Sequence, residues 1–219
     1  MNLLGRIGTN AGLQSILDLV DCEPTKEKPV VVGIDAPLGW PQAFQATITK
    51  SAMPQPVALA PSIHNPFLYR ETERFLKCRL DLGTGPLTAV GSMLGSQASK
   101  AQYMLKCMPA KDDDFYSPPF DSPRTENPSV TIIEVYPTAS EKSRRYQENQ
   151  IFCNLRADEA IENEDLIDAL HCALTAACYA ATVGLLVDKP IPKVWMPEDS
   201  SVAQSEGWIY CPKPSLACL

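Results

Sequence analysis

The chain has 219 residues, a length that suits one domain or one domain with long insertions, and its 45 % apolar content is enough to build a core. Its net charge is −7 and its pI about 4.9, with no basic tail and no Lys/Arg-rich run. That balance argues against a protein held to nucleic acid chiefly by cationic neutralisation of phosphates, and leaves open a metal-dependent enzyme, which gathers carboxylates at its site. Leu13 to Val20 reads as a short amphipathic helix, with apolar residues at Leu13, Ile16, Leu17, Leu19 and Val20. Val30 to Asp35 is an apolar, β-branched run that reads as a buried, central, parallel strand, closed by the turn Ala36-Pro37-Leu38-Gly39-Trp40-Pro41. An Asp thus stands at the carboxyl end of a strand, where open α/β sheets bind ligands.

The pattern continues with a proline-punctuated loop from about 49 to 66, a charged helix over Leu68 to Leu80, and a second helix over Gln97 to Met108. A long proline-rich loop spans about 109 to 128 and carries Asp112-Asp113-Asp114, which reads as a solvated run. Val130 to Pro137 reads as a second strand with Glu134 near its carboxyl end, followed by a polar helix from Glu141 to Gln150. Glu162 to Leu186 is the longest helix, with Asn163 as N-cap and a main apolar stripe of Leu166, Leu170, Leu174, Ala177, Ala181 and Leu185. The whole reads as one domain over 1–219, without internal repeats or a clear linker. Ala169 to Val187 is uncharged and as long as a transmembrane helix, but its Ala, Thr, Cys and His content suits close helix–sheet packing better than lipid. The eight cysteines form no CxxC pair, and Met1 to Gly12 holds no long apolar segment, so the thiols read as reduced and the protein as cytoplasmic.

Four carboxylates stand out by position. Asp35 and Glu134 lie at or near strand ends, and Asp165 and Asp168 are neighbours at i,i+3 on the first turns of the long helix. Clustered carboxylates suit hard cations such as Mg²⁺ or Mn²⁺, which prefer oxygen ligands and support phosphodiester cleavage. Each also has a simpler reading. Asp35 can cap the following turn, Glu134 can lie on a solvated strand face, and the two aspartates complement the helix dipole. Arg70 and Arg74, at i,i+4, can bind phosphate or pair with the glutamates beside them. His64 and His171 lack ligand spacing, and there is no GxSxG, GxGxxG or P-loop.

In order along the chain, Val31-Val32-Gly33-Ile34-Asp35-Ala36-Pro37-Leu38-Gly39-Trp40-Pro41 resembles the "IDAPLGLP" motif of the uncharacterised domain-of-unknown-function family 429, whose members are described as predicted RNase H-like nucleases. Tyr69 to Arg74 resembles that family's "RxTDRxLR" helix, with Glu73 where Asp is usual. Ile133-Glu134-Val135-Tyr136-Pro137 is similar to its "EVYP" strand end, Glu164 to Ala176 to its "HDxxDALxCAxTA" helix, and Glu206-Gly207-Trp208-Ile209 to a closing "EGWI". The resemblance implies an RNase H-like mixed sheet flanked by helices. It also implies a carboxylate site of Asp35, Glu134, Asp165 and Asp168, with Asp35, Glu134 and Asp168 as metal ligands. RNase H-like domains open with a three-stranded meander whose first strand carries a metal-bridging Asp. No run before Leu13 supplies three strands, so the expectation is a sheet lacking these N-terminal strands, with an exposed edge that a homodimer would cover.

The expected function is a metal-dependent, RNase H-like nuclease acting on a nucleic acid or nucleotide, with Arg70 and Arg74 binding substrate. Two alternatives stand beside it: a non-catalytic relative that binds or assembles, and a hydrolase or sensor of a small phosphorylated metabolite.

Overall fold

The computed structural model describes residues 21–52, 62–80, 82, 86–91, 94–107, 115–121, 128–145, 163–187 and 191–213. The expected helix over Leu13 to Val20 and the Asp112–Asp114 run lie outside these residues. The described chain is mixed α/β, with a small, mostly parallel open sheet flanked by helices. Strand β1 is Val30–Ile34, β2 is Phe115–Tyr116, β3 is Val130–Val135 and β4 is Ile209–Tyr210. β3 is the hub. β2 runs parallel to its start, pairing Phe115 with Val130, and β4 runs parallel to its end, pairing Glu134 with Ile209. β1 is its remaining neighbour.

Both expected strands form, but the central place expected for the first falls to the second. All six β3 residues are buried, whereas the five of β1, expected to be central, are each half-buried. The reason is order in the sheet: among the described residues β1 ends the strand order and β3 has neighbours along both edges.

The chain divides into two compact units, each assembled from separate stretches, and the division falls within β3. The first unit comprises Met1–Val30, Ala36–Ile132 and Pro197–Trp208. Its helices are α1 (Gln42–Thr49), α2 (Glu71–Leu80) and α3 (Gly95–Cys107), with α6 (Ser200–Glu206) arriving from far along the chain. α1 has Pro41 at its N-cap, which offers no side-chain acceptor, so no local signal marks its start. α2 begins three residues later than the charge pattern suggests. The Arg70 carbonyl accepts from the Arg74 N–H, which makes Arg70 the N-cap. The Glu73 carboxylate reaches back to the Arg70 N–H, which is the return half of a capping box. Thr72, Leu76 and Leu80 form the buried face of α2, and Phe75 packs on Trp208 at 5.2 Å between ring centroids.

The second unit comprises Val31–Asp35, Ile133–Met196 and Ile209–Leu219. Its helices are α4 (Pro137–Arg145) and α5 (Glu164–Thr182), packed together through a buried hydroxyl pair, Ser140 to Thr175, at 3.0 Å. Asn163 caps α5 as expected, its side chain accepting from the Asp165 N–H at 2.9 Å. The buried face of α5 differs from the expected leucine stripe. It consists of His171, Cys172, Thr175, Ala176, Cys178, Tyr179 and Ala180, while Leu166 is 57 % exposed and Leu170 and Leu174 are half-buried. The cause is close approach: a Cβ on Gly33 would lie 2.6 Å from the Cys172 carbonyl oxygen, so helix and strand meet backbone to backbone, where leucine has no room. At the C-terminal end of this unit, Tyr179 meets Tyr210 edge to face and the Trp195 N–H donates to the Cys211 carbonyl.

Among the described residues, no helix is long and apolar enough to cross a membrane, and Cys22, Cys78, Cys172, Cys178 and Cys211 are free thiols.

Candidate acidic site

Gly33 fixes the geometry of the site. Asp35 stands two residues past Gly33, just beyond the end of β1. On α5, Asp168 lies four residues before Cys172, about one turn and about 6 Å nearer the helix N-terminus. The backbone contact between Gly33 and Cys172 thus leaves Asp35 and Asp168 each within a few residues of one shared point.

The electrostatics agree with this placement. The Asp35 side chain reaches solvent, yet protein packed around it removes enough water to raise its carboxyl pKa to about 6, with the charges of Asp168 and Glu134 adding to that burial. The Cys172 thiol is pushed up to about 12, first by burial and then by Asp35 and Asp168. Asp168 is raised as well, by burial and then by Asp165, Glu164 and Glu141. One group of like charges thus surrounds the N-terminal turns of α5. Glu141 belongs to it only because α4 packs on α5, which no pattern within its own helix announces.

Glu134 stands apart from this pair. The Val135 side chain lies 3.1 Å from the Cβ position of Gly33, so Val135 shares the α5 face, and alternation turns Glu134 to the opposite face of the sheet. It is 3 % exposed and close enough to be felt by Asp35, but not turned toward Asp168. Asp165 is exposed on the first turn of α5. His171 is buried.

The predicted substrate arginines belong to a different environment, in the first unit. Arg70 is fully buried: its Nη2 lies 2.6 Å from Glu73 Oε1, its Nε donates to the same oxygen at 2.7 Å, and its Nη1 donates to the Glu206 carbonyl at 3.3 Å. A guanidinium enclosed in this way is not presented to an outside phosphate. Arg74 is half-buried and donates to the Tyr69 carbonyl at 2.7 Å. Of the two uses the sequence left open for Arg70, pairing with a neighbouring glutamate is the one found. The residue that sequence reasoning missed here is Glu206. It is 5 % exposed, and its two oxygens accept from the Gln42 N–H at 2.7 Å and the Glu71 N–H at 2.8 Å. One carboxylate therefore caps α1 and α2 together.

Among the described residues, no group of three or more His, Cys, Asp or Glu is placed to hold a metal ion. The donor set is a carboxylate pair, Asp35 and Asp168. That fits the way Mg²⁺ is often bound, by one or two carboxylates with water and substrate phosphate completing the shell, and does not fit an all-protein cage.

Comparison with protein-family models, with curated proteins and with solved structures gives no match.

Proposed function

We propose that the second unit carries the acidic site of a metal-dependent, RNase H-like phosphodiester hydrolase, with Asp35 and Asp168 as its protein ligands and Asp165 beside them. The observation that carries this reading is the Gly33–Cys172 contact, which leaves two carboxylates within a few residues of one shared point, their like charges without a described cation between them. The motif resemblance and the strand-end position of Asp35 support it. Mg²⁺ or Mn²⁺ bound there would supply charge neutralisation at a phosphate and acidify a water. Asp35 is the gate to such binding: it must lose its proton, so cation affinity rises as the pH passes upward through about 6. Substrate positioning falls to groups other than Arg70. The free thiols among the described cysteines accord with a cytoplasmic location.

A second reading, a non-catalytic relative that binds or assembles, draws on a specific observation: the described residues offer a pair of carboxylates where a two-metal site needs more. A homodimer through the sheet edge belongs to that reading.

Calorimetry with Mn²⁺ on the wild type, Asp35→Asn and Asp168→Asn, with and without a short oligonucleotide, decides between them. Saturable binding that both substitutions remove, accompanied by Mn²⁺-dependent cleavage of labelled DNA or RNA, supports the hydrolase. No binding at millimolar Mn²⁺, with or without oligonucleotide, removes it in favour of the binding protein.

A further inference from the structure

The segment Pro197–Trp208 belongs to the first unit, although the chain before and after it belongs to the second. It holds one helix of seven residues, α6, well under the ~12–15 residues at which isolated helices become even marginally stable. Its own caps are local: Asp199 accepts from the Ser201 N–H at 2.8 Å, and Gly207, at φ 83°, donates to the Ala203 carbonyl at 2.8 Å. What fastens it to the rest of the first unit is concentrated at its end. Glu206 accepts from Gln42 and Glu71 through its carboxylate and from Arg70 through its carbonyl. The Ser205 carbonyl accepts from Gln45 Nε2 at 2.8 Å, and Trp208 packs at a tilt against Phe75. Gly39 lies so close to the Glu206 carbonyl that a Cβ there would run into it. By contrast, the Arg79–Glu198 pair at the beginning of the segment is exposed and 3.4 Å apart, a weak tie.

We propose that Pro197–Trp208 is a latched strap, which opens from the first unit as one piece and is held shut by Glu206. Closure does two things at once. It supplies the N-terminal acceptor that α1 lacks, and it satisfies the first N–H of α2. Opening therefore uncaps both helices together and separates Trp208 from Phe75, while α3, whose Ala98 N–H is bonded within its own turn to Leu94, keeps its structure. The device is a two-state element with a single side chain as its latch.

Native-state amide exchange of the full chain tests this. In the wild type, the amides of Gln42, Glu71, Ala203 and Gly207 are expected to share one opening equilibrium, reached at lower denaturant than that of Ala98. In Glu206→Gln, which keeps the shape but leaves one side-chain acceptor for two N–H groups and sets an NH2 against the other, the same four amides are expected to exchange at least about tenfold faster, with Ala98 unchanged. Exchange of the four at unrelated rates, or only together with Ala98 in global unfolding, overturns the strap. Should Glu206→Gln fail to fold, the wild-type measurement decides alone.

Discussion

The molecule holds two groups of carboxylates that differ in what meets their oxygens. In the first unit, Glu73 and Glu206 are buried, and their oxygens are met by a guanidinium and by helix N–H groups. In the second, the neighbours felt by Asp35 and by Asp168 are further acids. In the first arrangement the oxygens of Glu73 and Glu206 are taken up by donors that hold helices, although the Glu206 charge still helps to raise the neighbouring Glu71. The second is open, with an excess of negative potential that a proton or a cation would relieve. Compensation, more than the presence of acids, separates a structural charge cluster from a candidate site.

The contrast is broken most severely at Arg70. Arg70→Ala leaves Glu73 buried without its counter-ion, and urea unfolding is expected to show a loss of roughly 3–5 kcal/mol. A loss below 1 kcal/mol would mean that the first unit's charges are not compensated in the way described. Next comes Gly33→Ala, whose Cβ would overlap the Cys172 carbonyl. The expected cost is roughly 1–3 kcal/mol by the same measurement, accompanied by a fall of the Asp35 midpoint toward the ordinary carboxylate range as α5 moves away.

Asp35→Asn should act in the opposite direction. Because the folded-state pKa is raised, the folded protein binds more protons than the unfolded chain between about pH 4 and 6. The penalty of the ionised group is therefore present above pH 6, fades as the pH falls, and vanishes below the unfolded value. Asp35→Asn is expected to stabilise by about 1 kcal/mol at pH 7.5, solvent exposure screening the larger figure that the shift alone would give, and to change nothing at pH 3.5. Destabilisation at pH 7.5 would show that the charge is compensated after all. The smallest effect belongs to Asp168→Asn, which should lower the Asp35 midpoint in a carboxyl NMR titration, but only in part, because burial is the larger cause.

What could be read from the sequence was local. The strands Val30–Ile34 and Val130–Val135 follow from β-branched runs, and the Asn163 cap from a side chain that reaches two residues along its own backbone. What could not be read was settled across the chain. α1 begins where it does because of an acceptor 164 residues away. The buried face of α5 follows from contact with a glycine on a strand, so the hydrophobic pattern pointed to its leucines while the core took its alanines, cysteines and threonine. Of the candidate site, the strand-end and helix-start positions of Asp35 and Asp168 were legible. The turning of Glu134 to the other face depended on Val135 taking the α5 side, and the enclosure of Arg70 on the arrival of Glu206.

The contact between Gly33 and α5 carries a genetic consequence. Its partner is a main-chain oxygen, so the identity of the side chain at position 172 is irrelevant to it. A screen for second-site suppressors of Gly33→Ala should therefore recover nothing at Cys172. Revertants are expected where the seating of the whole helix is decided, at Ser140 and Thr175, whose hydroxyls set how α4 holds α5.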